Sequence, residues 1–327
     1  MRATRNQRYQ RVTPVHDLAP EMEARPGDVF LGLDYSLDAV IANQRQLARF
    51  RHDGGTLWFL VHDLLPLQRP DWFSRHTALR YSKWLRALAV LGDGFFCNSL
   101  QTEAELRQAL AERYGLESGF RTWVLPMGTD LVSGEQRLVP SGASFEQLRN
   151  TRYILMVGTL EPRKGHEEIL TAFERLWPKD ELKLVIVGRP GWKTEALQAR
   201  IRTHPMLGNK LHWLSNASDD ALEVLFSHCQ GVIVAAMAEG YGLPLIEALG
   251  YRKPVLARDI PIFRQHESRG VWYFPAKAST DELAEAIERW IDAIESNLIE
   301  IHPPTETWHS TTVSLLSALN GGGSERG

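Results

Sequence analysis

Apolar runs of strand length recur along the second half of the chain, separated by stretches with helical spacing. Five such runs are Tyr153–Val157, 182–187, Leu211–Leu214, 232–236 and 254–257. After the first run, apolar residues repeat at helical spacing at Ile169, Leu170, Phe173, Leu176 and Trp177. Strands without a polar face that alternate with helices are typical of a parallel sheet covered on both sides. The second half therefore predicts a doubly wound α/β domain.

Capping residues mark several helix starts in this half. Ser218 is a natural N-cap, and Ser279 with Glu282 three residues later has the spacing of a capping box. We predict helices over 192–204, 218–229 and 279–294.

The first half shows the same alternation less clearly. Predicted strands are 28–33, 57–61, Gly94–Cys97 and 123–126, and predicted helices are 81–91 and 101–114. Residues 134–150 lack periodicity and are rich in Ser, Gly and Gln, which is typical of an interdomain linker. We therefore expect one α/β domain over 1–148 and a second over 149–307.

Composition and charge narrow the class of protein. The 327 residues exceed one ordinary core, and a net charge of −3 gives no general attraction to nucleic acid. Cys97 and Cys229 lie in apolar runs, as buried free thiols of a reducing compartment would. The opening residues are polar and rich in arginine, and no apolar run reaches the roughly 20 residues of a membrane span. We expect a cytoplasmic protein.

Two loops that follow predicted strands carry the candidate chemistry. Residues 158–165 (GTLEPRKG) follow the first strand of the second domain, and residues 238–249 (AEGYGLPLIEAL) follow the 232–236 strand. Ligands bind at the carboxyl ends of parallel strands, so we expect both loops on one rim. Arg163 and Lys164 at a helix start combine two cations with the helix dipole, which favours a diphosphate.

The second loop adds groups suited to a sugar. Gly240 and Gly242 let the backbone approach a ligand closely, and Glu239 and Glu247 can accept hydrogen bonds from hydroxyls. Taken singly, an Arg-Lys pair is often a solvated surface feature, Gly-Tyr-Gly a turn, and a lone glutamate an exposed helix residue. Together they favour a site for a nucleotide diphosphate sugar. No strand is followed by G-x-G-x-x-G, which counts against a dehydrogenase.

These loops resemble the donor-binding half of the family 4 retaining glycosyltransferases (glycosyl transferases group 1). That family has the GT-B fold, in which two Rossmann-like domains face each other across a cleft. It carries an EGFGLP-type motif with a second glutamate at the same eight-residue offset. Further similar segments are FLVHDLLPLQRPDWF (59–73), Asn98-Ser99 with Thr102, VLPMGTD (124–130) and WHST (308–311). The last resembles the start of a helix, here 308–320, that crosses back onto the first domain.

The resemblance implies roles for individual residues. Arg163 and Lys164 would bind the donor diphosphate and stabilise the charge that develops as it leaves. Glu239 would bind sugar hydroxyls at the reacting centre, and Glu247 the ribose. The rest of the implied donor-binding set is Gly158, Gly240, Tyr241, Gly242 and Leu243. His62 would touch the transferred sugar or position the acceptor, with Asp63 orienting that region; a structural histidine is the alternative for His62.

The implied reaction is transfer of a hexose with retention of configuration. The donor would be a nucleotide diphosphate sugar, with a GDP-mannose-like donor favoured. The acceptor would be a glycan or a lipid-linked molecule in bacterial surface polysaccharide synthesis. Retaining glycosidases use a nucleophile and an acid. No such pair is evident here, so we expect same-face attack, with the departing phosphate taking the acceptor proton. Arg163 and Lys164 do the work of a divalent cation and no metal-ligand spacing occurs, so we expect no metal and no other cofactor.

The opening of the chain departs from the family pattern. The usual strand, glycine-rich loop and helix are not found in residues 1–25, so we expect a first domain shortened at its N-terminus. Met127 also replaces the usual asparagine. A compact variant, an internally initiated fragment and half of a larger or paired enzyme all remain open. The alternative function is therefore a catalytically weak nucleotide-sugar-binding subunit that needs a partner. An epimerase or a glycogen-phosphorylase-like enzyme shares the fold, but its extra carboxylates or pyridoxal-binding lysine are not evident.

Residues 69–86 form a basic segment interleaved with aromatic residues. Its cations are Arg69, Arg75, Arg80, Lys83 and Arg86, and its aromatic residues include Trp72, Phe73, Tyr81 and Trp84. Such a segment can rest on an anionic bilayer, which suits a lipid-linked acceptor and placement at the inner face of the membrane. The alternative is a helix packed on the core with a solvated basic face.

Overall fold

The computed structural model describes residues 24–129, 148 and 151–321, which form two parallel sheets. The linker predicted over 134–150 lies, apart from Leu148, outside the described residues, as do residues 1–23. The first sheet has four strands in the order β1-β2-β3-β4: β1 Val29–Gly32, β2 Thr56–Val61, β3 Gly94–Cys97 and β4 Arg121–Val124. All three pairings are parallel. The four strands predicted in the first half are confirmed.

The first sheet is covered by helices rich in buried leucine and aromatic side chains. They are α1 Leu37–Ala42, α2 Gln44–His52, α3 Leu65–Gln68, α4 Arg75–Leu91 and α5 Leu100–Tyr114, with a 3-10 turn at Pro70–Trp72. The α1 and α2 helices are absent from the sequence prediction. Each is short and buries only two residues, which is too few for the helical period to emerge.

The second sheet has six parallel strands in the order β10-β9-β8-β5-β6-β7. They are β5 Tyr153–Val157, β6 Lys183–Val187, β7 Leu211–Leu214, β8 Gly231–Val234, β9 Val255–Arg258 and β10 Trp272–Phe274. The five predicted strands are confirmed. The sixth, β10, lies at the sheet edge and is absent from the sequence prediction, although residues 271–274 (VWYF) form a short apolar run.

Helices cover both faces of the second sheet. They are α6 His166–Leu176, α7 Glu195–Arg202, α8 Asp219–His228, α9 Leu243–Gly250, α10 Pro261–Arg264 and α11 Thr280–Glu295, with 3-10 turns at Pro162–Lys164 and Glu267–Arg269. Along β5, Ile154 and Met156 join one buried cluster, while Tyr153 and Leu155 join another. Alternate side chains thus enter cores on opposite faces, which confirms the doubly wound arrangement.

A final helix, α12 Trp308–Leu319, packs on the first sheet rather than the second. Ala318 lies in a buried cluster with Trp58 and Phe96, and Trp123 Nε1 donates to Ser314 Oγ at 3.1 Å. The chain therefore returns to its first domain after completing the second. No helix in the described ranges is long and apolar enough to cross a membrane.

Cys97 and Cys229 are buried and unpaired, as predicted. Burial raises the pKa of both thiols, that of Cys229 to about 12, so neither is a ready nucleophile.

Candidate active site

The strand order of the second sheet reverses between β5 and β8. From β5 the chain adds β6 and β7 on one side of the sheet, and from β8 it adds β9 and β10 on the other side. The carboxyl ends of strands at such a reversal open into a crevice, which is where parallel α/β sheets bind ligands. Residues 158–165 follow β5, and the loop that carries Glu239 follows β8. The two candidate loops therefore meet at the crevice, as predicted.

Glu239 bridges the two cations of the first loop. Its Oε2 lies 2.7 Å from Arg163 Nη1, and its Oε1 accepts a hydrogen bond from Lys164 Nζ. The side chains are only 11–14% exposed, so this cluster is largely shielded from bulk water. The Glu239 carboxylate thus contacts two cations of the kind that bind phosphate groups.

The backbones of the two loops are also held together. Arg163 Nη1 donates to the Ala238 carbonyl at 3.0 Å, and the Met237 amide donates to the Arg163 carbonyl at 2.7 Å. A Cβ on Gly165 would lie 2.4 Å from the Ala235 carbonyl oxygen, so only glycine allows this approach. Residues 75 positions apart in sequence thus form one rigid rim.

The electrostatics of the cluster depend on a balance between burial and the two cations. Burial alone would raise the pKa of the Glu239 carboxyl, but Lys164 and Arg163 outweigh it and hold that pKa below its ordinary value. Burial would also lower the pKa of the Arg163 guanidinium, but Glu239 and Glu161 reverse this effect and raise it. Glu239 is therefore ionised and Arg163 charged at neutral pH.

A second carboxylate, Glu161, belongs to the cluster and is absent from the sequence prediction. Its Oε2 accepts a hydrogen bond from Arg163 Nε at 3.0 Å, so Arg163 lies between two glutamates. Burial raises the pKa of the Glu161 carboxyl, although Arg163 opposes this shift. The sequence signal that could have identified Glu161 is its position two residues before Arg163 in the same loop.

His62 and Asp63 follow β2 of the first domain and face this cluster. A Cβ on Gly240 would lie 1.8 Å from the His62 carbonyl oxygen, so the two domains touch here through backbone. Burial raises the pKa of Asp63 against the opposing charge of Arg163, and burial lowers the pKa of His62. His62 is therefore neutral at pH 7, and Asp63 accepts the Leu65 amide hydrogen at 3.0 Å.

The remaining predicted site residues occupy different positions around the crevice. Gly158 follows β5, and Gly242 caps α9 with φ 94°. Leu243 begins α9 with its side chain exposed. Glu247 lies on α9, where burial and Asp219 raise its pKa, and no ion pair with it forms among the described residues. Tyr241 instead donates its hydroxyl to the Met127 carbonyl of the first domain at 3.2 Å, so its side chain joins the domains.

The aromatic residues of segment 69–86 mostly pack inside the protein. Trp72, Tyr81 and Trp84 are buried, and Phe73 lies beside Trp192 of the second domain, with the ring centroids 6.0 Å apart and the rings tilted by 33°. These side chains are therefore not free to enter a bilayer. Peripheral membrane contact through this segment stays a prediction that rests on its basic residues alone.

No group of three or more His, Cys, Asp or Glu side chains within the described residues is arranged to hold a metal ion. Arg163 and Lys164 supply two cations at the crevice.

Residues 143–298 match the family model of the glycosyl transferases group 1. This segment contains both loops of the crevice. The chain carries a glycosyl transferases group 1 domain. The resemblance read from residues 158–165 and 238–249 is thus confirmed at the level of this group 1 domain.

Curated relatives of the chain include bacterial mannosyltransferases. The serotype-specific mannosyltransferase WbdA of Escherichia coli is 35% identical over 311 residues, which cover 89% of this chain and 37% of WbdA. The chain thus spans little more than a third of that relative. The O-antigen chain mannosyltransferase RfbU of Salmonella typhimurium is 23% identical over 237 residues, 72% of this chain and 61% of RfbU.

Solved structures of similar shape establish the fold. HepE from Anabaena, crystallised with UDP and glucose, superposes with a TM-score of 0.61 at 19% identity, covering 88% of this chain and 73% of HepE. Sucrose-phosphate synthase from Thermosynechococcus elongatus gives a TM-score of 0.63 at 18% identity over 90% and 73% of the two chains. The chain has the GT-B fold, with the group 1 domain forming its second half.

Proposed function

We propose that this chain transfers a hexose from a nucleotide diphosphate sugar to a glycan or lipid-linked acceptor. One observation carries the proposal: Glu239 spans Arg163 and Lys164 at the strand reversal, where an anionic ligand with hydroxyls would meet all three. The mannosyltransferase names of WbdA and RfbU favour mannose as the hexose and surface polysaccharide synthesis as the setting.

Arg163 and Lys164 bind the donor diphosphate in this proposal. Both cations are shielded from water, so their attraction for a phosphate oxygen is stronger than at an exposed surface. When the bond between the sugar and the diphosphate breaks, negative charge grows on the departing oxygen. The two cations stabilise that charge without a metal ion.

The carboxylates recognise the polyol parts of the donor. Glu239 leaves its cations when the diphosphate arrives and accepts hydrogen bonds from hydroxyls of the hexose. Glu247 lies about one helical turn into α9, on the same loop-helix unit, and accepts hydrogen bonds from the ribose. The raised pKa of Glu247 reflects a buried carboxyl whose hydrogen-bond partners would come from the ligand.

Transfer takes place with retention by attack on the face that the diphosphate leaves. Among the described residues, the carboxylates of Glu239 and Glu161 are paired with Arg163 and Lys164 and are not set apart as a nucleophile and an acid, so the departing phosphate accepts the acceptor proton. His62 is neutral and can donate or accept a hydrogen bond at the acceptor side of the reacting carbon. Positioning and leaving-group stabilisation then supply most of the rate.

Donor turnover tests the proposal most simply. GDP-, UDP- and dTDP-hexoses are incubated with wild type and with Glu239→Gln, and release of nucleotide is followed. We expect hydrolysis of one donor, most readily GDP-mannose, and a loss of about 100-fold or more in Glu239→Gln. Proton NMR of the transferred sugar on a mannose acceptor reports retention directly.

Glu285→Gln is the matched control, since Glu285 pairs with Arg289 at 3.7 Å on the exposed face of α11. This variant makes the same chemical change in the same domain and is expected to keep full activity. Equal activity of Glu239→Gln and Glu285→Gln would refute the assignment. Binding of a donor without turnover, with acceptors present, would favour a binding subunit that needs a partner.

A further inference from the structure

Two hydroxyls of the first domain hold the loop that carries Glu239 in the second. Ser99 Oγ donates to the Gly240 carbonyl at 2.8 Å across 141 positions of sequence. Thr102 Oγ1 lies 3.3 Å from the same carbonyl oxygen and 3.4 Å from the His62 carbonyl oxygen. Both side chains are buried, so water does not compete for these contacts.

Helix capping alone does not account for this arrangement. Ser99 is the N-cap of α5, and its Oγ accepts the Thr102 amide hydrogen at 3.1 Å. That bond uses a lone pair of Ser99 Oγ and leaves its hydrogen free for Gly240. The Thr102 hydroxyl hydrogen is likewise free to reach either the Gly240 or the His62 carbonyl. The capping residues therefore carry a second set of contacts that point across the cleft.

We propose that Ser99 and Thr102 form an interdomain latch on the Gly240 carbonyl. The latch fixes the peptide that follows Glu239 and brings the loop against His62, where a side chain on Gly240 would not fit. It holds the cleft closed during turnover and releases the loop when the domains separate. Ser99 and Thr102 are positioning residues, because they act on the donor through Gly240 and Glu239. Their effect on turnover rests on the proposed function, whereas the latch itself is a property of the fold.

A matched pair of residues exists one helix earlier. Ser74 caps α4 as Ser99 caps α5, accepting the Thr77 amide hydrogen at 3.0 Å, and the Ser74 and Thr77 hydroxyl oxygens lie 2.9 Å apart. The corresponding hydroxyl oxygens of Ser99 and Thr102 lie 3.0 Å apart. Replacing the capping serine therefore removes a helix cap in either pair. Only substitutions in the Ser99–Thr102 pair also remove a contact with the Gly240 carbonyl.

The first readout is amide hydrogen exchange of peptides covering residues 236–243. We expect exchange to become about tenfold faster in Ser99→Ala and Thr102→Val, since each removes one hydrogen bond to the loop. Ser74→Ala and Thr77→Val should leave these peptides unchanged. Thr102→Val keeps the side-chain shape and the helix cap, so it tests the latch even if Ser99→Ala fails to fold.

The second readout separates turnover from donor affinity. The cations and carboxylates that bind the donor all belong to the second domain, so we expect Thr102→Val to keep donor affinity within about twofold. Its kcat should fall about tenfold, because closure and not binding is impaired. Thr77→Val should match wild type in both.

The outcomes distinguish failure of the latch from failure of the proposed function. If the wild type turns over donor but Thr102→Val equals Thr77→Val in both exchange and kcat, the latch is refuted. If exchange rises as expected while the wild type turns over no donor, the latch stands and the proposed function does not.

Discussion

Glu239 has two cationic partners that a donor would take over under the proposed function. Its carboxylate contacts Arg163 and Lys164, and these are the groups proposed to hold the diphosphate. The same carboxylate therefore orients the two cations and would compete with the phosphates of a donor for them. The sequence predicted all three residues, but this direct pairing depends on the closeness of two loops at the strand reversal.

Glu239→Gln should consequently bind free nucleoside diphosphate more tightly while losing transfer. Neutralising the carboxylate releases two charge-assisted hydrogen bonds from Arg163 and Lys164, and we expect affinity for GDP to rise about tenfold. Isothermal titration of GDP into Glu239→Gln, wild type and the Glu285→Gln control measures this. Weaker binding of GDP to Glu239→Gln would show that Glu239 supports the diphosphate rather than competing with it.

Donor binding should be accompanied by proton uptake. Burial raises the pKa of Asp63 and Glu161 in the free protein, and Glu239, whose pKa is held low by Lys164 and Arg163, loses those partners to the diphosphate. An incoming diphosphate adds negative charge beside all three carboxyls and raises their pKa further. The complex therefore holds more protons than the free protein, and affinity should increase from about pH 7 to about pH 5.

Titration of a nucleotide sugar in two buffers of different ionisation enthalpy measures the proton count. Nucleotide sugars are the suitable ligands, since their diphosphate does not titrate in this range. Proton release on binding, or affinity that weakens below neutral pH, would contradict this sign.

Some helices and strands could be predicted from the sequence, and others were missed. The Ser279–Glu282 capping box and the buried run of β5 were readable because their signals lie within a few residues. The paired short helices α1 and α2 were not, since each buries too few residues to set a period. The apolar run of β10, residues 271–274, is equally local and was missed. Loop contacts such as Ser99 to Gly240 cannot be read at all from one chain, because they depend on how two domains meet.

The loop at Gly128 shows how tightly the returning α12 is fitted to the first domain. A Cβ at this position would lie 2.1 Å from the Trp308 backbone nitrogen, with Thr307 backbone atoms nearly as close. Gly128→Ala should therefore displace the start of α12 and lower the free energy of unfolding by about 3 kcal/mol. Denaturant unfolding followed by circular dichroism measures the loss.

Gly115→Ala provides the comparison for Gly128→Ala. Gly115 ends α5 with φ 63°, and a Cβ there meets no atom within 4 Å. The variant carries only the backbone strain of the left-handed conformation, about 1 kcal/mol. If Gly128→Ala lowers the free energy of unfolding no more than Gly115→Ala does, the start of α12 can move aside at little cost in stability.

Contacts at several separate points hold the two domains of the molecule together. Besides the latch, Trp192 Nε1 donates to the Trp72 carbonyl at 2.8 Å, and Lys193 Nζ donates to the Asp71 carbonyl at 2.6 Å. These contacts are hydrogen bonds at the domain edges, and the buried cores of the two sheets are separate clusters. Such an arrangement is suited to reversible domain separation around a ligand.

Trp192→Ala should shift the protein towards an open form. It removes a hydrogen bond and the contact with Phe73, which together change the balance of closed and open forms by about tenfold. Small-angle X-ray scattering should show a larger radius of gyration. Trp272→Ala is the control, since Trp272 is 37% exposed against 40% for Trp192 and lies on the edge strand β10. Equal dimensions in the two variants would mean that Trp192 does not hold the domains together.

Direct binding of a nucleotide sugar tests the central claim, that the crevice between β5 and β8 is a donor site. Isothermal titration of GDP-mannose, with UDP- and dTDP-hexoses beside it, is performed on wild type, Arg163→Ala and Arg289→Ala. We predict saturable binding of one donor to wild type and Arg289→Ala, and affinity at least about tenfold weaker in Arg163→Ala. Equal affinity in all three proteins, or no binding of any donor to folded wild type, would contradict it.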